Sequence, residues 1–90
     1  MSQDTAPSSM TLDMLPVCAV AIIRAIRTNT KSQDGAALKR RLMELGFVPG
    51  ERVQVLRRVL AGRGPLAVRV GTSTFAMRRL ESSLIEVVPA

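Results

Sequence analysis

Apolar positions along this chain change their spacing several times, and each change predicts an element. Leu38, Leu42 and Leu45 recur at i, i+4 and i+7, which places them on one face of a helix. Asp34, just upstream, predicts the N-cap. Gly46 follows the last leucine where a helix turns left-handed, and Phe47 comes next, placed to pack back on Leu42. Pro49-Gly50 reads as a turn into a segment of period two. From Arg52 to Leu60, Val53, Val55, Arg57 and Val59 alternate with Arg52, Gln54, Leu56 and Arg58, and from Leu66 to Val70 one face carries Leu66, Val68 and Val70. These two segments predict a hairpin, joined by Ala61 to Pro65, where Gly62 and Gly64 allow positive φ. Upstream, Val17 to Arg27 is rich in Val, Ile and Ala and predicts a first strand. Val20, Ile22 and Ile26 share parity there while Ile23 does not, so the strand is buried on both faces or bulges between Ile23 and Ile26. Thr72 to Met77 predicts a fourth strand with Phe75 and Met77 on one side. A helical turn from Arg78 to Ser83 and a fifth strand from Leu84 to Val88, ended by Pro89, complete the pattern.

Five short strands with one short α-helix between the first two predict a mostly β fold. A small, strongly bent barrel fits best, because closure removes exposed edges; an α+β layer with the helix on one sheet face is the alternative. Met1 to Met10, reading MSQDTAPSSM, is polar and aperiodic and predicts a disordered tail, followed by a single domain over residues 11–90. Ninety residues, 47% of them hydrophobic, suffice for one small core.

Composition narrows the chemistry. The chain has no histidine and one cysteine, Cys18, which excludes a His/Cys metal cage, an internal disulfide and a histidine general base. The seven carboxylates are scattered without paired spacing, so no metal site and no cofactor are expected. A serine or threonine nucleophile would have to use Lys31 or Lys39, both in or near polar segments, so an enzyme is not expected. No apolar run reaches the length of a membrane span. The longest, Leu15 to Ile23, follows a segment holding Asp4 and Asp13 and no Lys or Arg, the wrong start for a secretion signal. A cytoplasmic protein is expected. Its net charge of +6 and isoelectric point near 11.4 predict attraction to acidic surfaces.

From Leu12 to Val88 the chain resembles the ferrous iron transport protein A (FeoA) family. The resemblance rests on Leu12, Leu15 and Pro16, on Leu38, Arg41, Leu42, Glu44, Leu45, Gly46, Pro49 and Gly50, and on Met77, Arg78, Glu81, Ile85 and Val87. It implies an SH3-like barrel and a small accessory or adaptor protein of bacterial ferrous iron uptake. The implied partner is the FeoB permease, whose cytoplasmic part contains a GTP-binding domain, with recruitment to the inner membrane through that partner. Two positions depart from the family pattern: Cys18 stands where glycine is usual, and Ser82 where alanine is usual.

On the helical wheel Lys39, Arg40 and Met43 point away from the leucine stripe, and they are the candidate partner-binding residues. Exposed lysine and arginine on a helix are ordinary. An exposed methionine beside them is less so, since its flexible side chain adapts to partner surfaces. Arg57-Arg58 and Arg78-Arg79 read as solvated strand and loop ends, with one of each strand pair facing out. Cys18 reads as a small buried hydrophobe, and Phe47 and Phe75 as core. The competing function is nonspecific nucleic-acid binding by a small basic barrel. Against it, aromatic content is 2% with no Trp or Tyr, so base stacking has almost no platform. Salt-sensitive phosphate contacts alone would remain. An SH3-like regulatory module, as appended to iron-responsive repressors, would need a DNA-binding part that this sequence does not show.

Overall fold

The computed structural model describes residues 10–28, 32–59 and 64–90. The elements run β1 (Met10–Thr11), a 3-10 turn (Leu12–Met14), β2 (Val20–Ile26), α1 (Gln33–Glu44), β3 (Arg52–Arg58), β4 (Leu66–Val70), β5 (Ser73–Met77), α2 (Arg79–Ser82) and β6 (Ile85–Pro89). The strands form one antiparallel sheet in the order β1-β6-β2-β3-β4-β5.

The fold is therefore mostly β, as its sequence pattern predicts, but two details of the expectation are corrected. Among the described residues there are six strands, not five, and the sheet is open, with β1 and β5 at its edges. The extra strand is β1, whose two residues pair as Met10↔Val87 and Thr11↔Glu86. Because it precedes β2, α1 lies between the second and third strands. The expected tail falls outside the described residues up to residue 9, and Met10 already belongs to β1. The last residue of the expected Arg52 to Leu60 strand and residues 61–63 of the expected hairpin loop are likewise outside them.

Bending comes from two bulges. The β2–β6 register shifts between Ile23 and Ala25. That extra residue carries the core face from Ala21 and Ile23 to Ile26, and it resolves the parity conflict in this strand; Val20 and Ile22 lie off the core face. The β3–β4 register shifts between Val55 and Arg57, so the buried alternation ends at Val55 and Arg57 turns outward. Each bulge strengthens local twist. The curved sheet wraps a core of Leu12, Ile23, Phe47, Val53, Val68 and Ile85, all essentially without solvent contact.

Helix α1 is capped by Ser32, whose Oγ accepts from the Gly35 N–H at 2.9 Å. This corrects the assignment to Asp34, which sits in the first turn instead, where its charge still suits the positive end of the helix. At the other end Phe47 N–H donates to the Leu42 carbonyl and Gly46 N–H to the Met43 carbonyl, both at 3.0 Å, with Gly46 at φ +112°. That pair of bonds is a Schellman stop. It delivers Phe47 into the core beside Leu42, with its ring centroid 5.8 Å from that of Phe75.

The last strand runs one residue further than its sequence predicts. Pro89 pairs with Ala21 at the end of β6, and Ala90 N–H donates to the Val20 carbonyl at 3.3 Å. A proline at a strand end gives up a single donor, which the ladder tolerates.

Candidate partner-binding site

The helix stop that fixes Phe47 also sets the outer face of α1. Leu42 is buried and Leu38 half-buried, so the opposite side of the helix must face outward. There Lys39, Arg40 and Met43 line one open groove of about 450 Å³ together with Ala36, Glu44 and Val48. The structure thus brings all three residues singled out from the sequence to one place. Met43 is 39% exposed, a large apolar side chain left in water beside two cations of the same groove.

Ala36, Glu44 and Val48 were not singled out from the sequence. Ala36 and Glu44 lie on α1, and the helical wheel could have found them at i−3 from Lys39 and i+4 from Arg40. Val48 lies beyond the helix, and only the reversal at Gly46 returns it to the groove. Glu44 adds one negative charge to a rim that is otherwise basic. Chemically the arrangement offers an apolar floor with cations at its border, suited to a surface that presents an apolar side chain among carboxylates.

The other candidate positions separate. Arg57 is exposed, whereas the Arg58 guanidinium donates to the Leu15 carbonyl and ties β3 to the segment before β2. Arg78 and Arg79 are both exposed, and Glu81 reaches back to accept from the Arg78 N–H at 2.9 Å, securing the start of α2. Phe47 is core as expected, and Phe75 is half-buried against it.

Cys18 is a correction: it is exposed, not buried. Ala19 N–H donates to the Pro16 carbonyl at 3.1 Å, and Cys18 is the third residue of that turn, at φ +74°. This conformation is the one that favours glycine, which explains physically why the family pattern carries glycine here. Ser82 occupies a fully buried site, and its hydroxyl is satisfied by donating to the Arg79 carbonyl at 2.8 Å. Among the described residues, no three His, Cys, Asp or Glu side chains come together as a metal site, and no helix is long and apolar enough to cross a membrane.

Residues 10–89 match the FeoA domain family. Among solved structures, the chain is similar to the zinc-complexed FeoA of Stenotrophomonas maltophilia, at 37% identity over 87% of this chain and 88% of that one, with a TM-score of 0.75. That protein is described as a prokaryotic SH3 domain protein and a candidate activating factor for bacterial ferrous iron transport. It is similar also to the FeoA protein of Chlorobium tepidum, at 31% identity over 89% of this chain and 70% of that one, with a TM-score of 0.75. A manganese-dependent transcriptional repressor shares the fold at 20% identity, over 98% of this chain and 45% of that one, with a TM-score of 0.76. No curated protein matches the chain. A match over nearly the whole length and FeoA relatives alike in both sequence and SH3-like fold lead to one conclusion: the chain belongs to the FeoA family, which is linked to ferrous iron transport.

Proposed function

We propose that this protein is a cytoplasmic accessory factor of ferrous iron uptake that acts by contact with the cytoplasmic, GTP-binding part of a FeoB-type permease. The docking face is the α1 ridge of Lys39, Arg40 and Met43. The observation that carries this reading is the exposure of Met43 in a groove bordered by Lys39 and Arg40. An apolar side chain ringed by charge is the composition expected of a small hot spot, with the cations steering an acidic partner. The rest of the helix explains why the ridge is available, since the core claims Leu38 and Leu42 and leaves the outer face without a structural task.

The test is a triple variant, Lys39→Glu, Arg40→Glu and Met43→Ser, expressed at the wild-type level in cells that depend on the permease for iron. Folding should survive, because surface substitutions of this kind cost about 0.5 kcal/mol or less each. Ferrous iron uptake should fall, through charge reversal and loss of the apolar contact. A control reverses Arg57 and Arg69, both exposed strand residues away from the ridge, to Glu. Loss confined to the ridge variant supports the docking face; equal loss in both variants assigns the effect to overall charge; normal uptake in the ridge variant rejects the proposed face.

A further inference from the structure

Strand β5 is an open edge. Its five residues, Ser73–Met77, pair with β4 on one side and, among the described residues, with no strand on the other. The sheet's opposite edge is limited to the two residues of β1, a common way of keeping an edge from recruiting further strands. The sequence of β5 itself carries no such device: STFAM has no charge and no proline. Its outward N–H and C=O groups are the same donors and acceptors that the rest of the sheet uses for pairing.

A cleft of about 220 Å³ runs beside this edge, with Leu38, Arg41 and Leu45 of α1 on one wall and Phe75, Ala76 and Met77 of β5 on the other. Successive residues of a strand point to opposite faces of a sheet. Three consecutive residues of β5 lining the same cleft therefore place it at the strand's edge, while the buried Leu42 and Phe47 that also line it show that it reaches in to the core. Arg41 is exposed on the wall and forms no ion pair among the described residues. Glu81 of α2 also lines the cleft, with its Oε1 accepting from the Arg78 N–H, so the α1 wall is the one that presents a cation.

We infer that β5 accepts an extended segment of another protein as a seventh, antiparallel or parallel strand. An apolar side chain of that segment fills the cleft beside Phe75 and Leu45, and an acidic residue next to it meets Arg41. Charge complementarity selects this occupant: the chain carries a net +6, and the α1 wall of the cleft presents Arg41 with no carboxylate beside it on that wall. Main-chain hydrogen bonds would supply affinity, and the cleft with Arg41 would supply specificity. This surface is separate from the Lys39, Arg40 and Met43 ridge, and the inference does not depend on that ridge being a docking face.

The test uses a fluorescein-labelled peptide, Asp-Glu-Val-Thr-Val-Thr-Val-Glu-Asp, titrated with the full-length protein and followed by anisotropy, with amide hydrogen exchange of β5 measured in parallel. Binding is expected with slowed exchange in Ser73–Met77. N-methylation of alternate peptide residues, on whichever edge does the pairing, should weaken it by about tenfold or more, because the methyl removes the donors without changing charge. Arg41→Glu should weaken it by about tenfold, and Arg57→Glu, an equal change in net charge on another strand, by much less. The methylated peptides require no protein variant, so they test the edge even if Arg41→Glu disturbs the fold. Failure to bind, or equal binding by both N-methylated registers, would overturn the inference. So would protection of β5 that rises with protein concentration in the absence of peptide, which would assign the edge to a second copy of this chain.

Discussion

The turn before β3 and the turn before β2 are built on the same backbone bond. In the first, Glu51 N–H donates to the Val48 carbonyl at 3.1 Å, with Pro49 second and Gly50 third at φ +92°. In the second, Ala19 N–H donates to the Pro16 carbonyl, also at 3.1 Å, with Val17 second and Cys18 third at φ +74°. Both turns also reach across the β2–β3 pair: Gly50 N–H donates to the Ile23 carbonyl at 2.8 Å, and Cys18 N–H to the Val55 carbonyl at 2.6 Å. The two sites make the same demand on the backbone and meet it with different residues. Glycine adopts positive φ without a steric penalty, whereas a residue with a β-carbon pays about 1–2 kcal/mol. Cys18 holds that conformation because the turn and the cross-strand bond fix it there.

The largest effect belongs to a third left-handed position, the helix stop. Gly46 lies at φ +112°, further from the left-handed well than either turn. A β-carbon there would meet Val70 Cγ1 at an ordinary 3.7 Å, so the cost of a larger residue is mainly conformational. Gly46→Val should destabilise the protein by at least about 2 kcal/mol, since a β-branched residue is the least tolerant of positive φ and the Schellman bonds that seat Phe47 depend on it. Thermal unfolding would read this as a fall of about 8 °C or more. An unchanged midpoint would mean that the helix stop does not need its left-handed residue.

Gly50→Cys places the cysteine of one turn into the other. Nothing lies within 4 Å of the β-carbon position at Gly50, so packing cannot contribute a penalty. The expected loss is about 1 kcal/mol, the left-handed cost less the backbone entropy that glycine gives up on folding. Denaturant melts with equal slopes would measure it. A loss of several kcal/mol would show that Gly50 carries a demand beyond its φ, and the two turns would no longer be equivalent.

The same contrast decides what could be read in advance. The helix stop and the Pro49-Gly50 turn were legible because glycine announces positive φ at both. Pro16-Val17-Cys18-Ala19 has no glycine or asparagine at its third position, so its apolar residues read as the start of a strand, and Cys18 as buried. The bulge in β2 was legible through a conflict of parity between Ile23 and Ile26. Strand β1 was not, because two residues carry no period and their partners Glu86 and Val87 are supplied by the far end of the chain. The open sheet followed from the same blindness: local pattern gives strand number and faces, while closure depends on which edges meet. The ridge of Lys39, Arg40 and Met43 was legible from the helical wheel. Val48, which completes its groove, depended on the path of the chain after Gly46.

Cys18→Gly is the smallest expected effect and the sharpest test of the comparison, because its sign is opposite to the others. The substitution removes a β-carbon from a left-handed position and should raise stability, but by less than Gly50→Cys lowers it. At φ +74° Cys18 lies closer to the left-handed well than Gly50 at +92°, so less strain is available to release. Added freedom in the unfolded chain offsets part of the gain. A net increase of about 0.5 kcal/mol is expected, equivalent to about 2–4 °C in the thermal midpoint. Exposure of Cys18 keeps packing out of the balance, since its side chain leaves no cavity when removed. Measurement under reducing conditions separates this gain from any effect of blocking thiol oxidation. A loss of stability would show that the Cys18 side chain makes a favourable contact that outweighs its backbone strain, and the two turns would then differ in side-chain energetics as well as in residue.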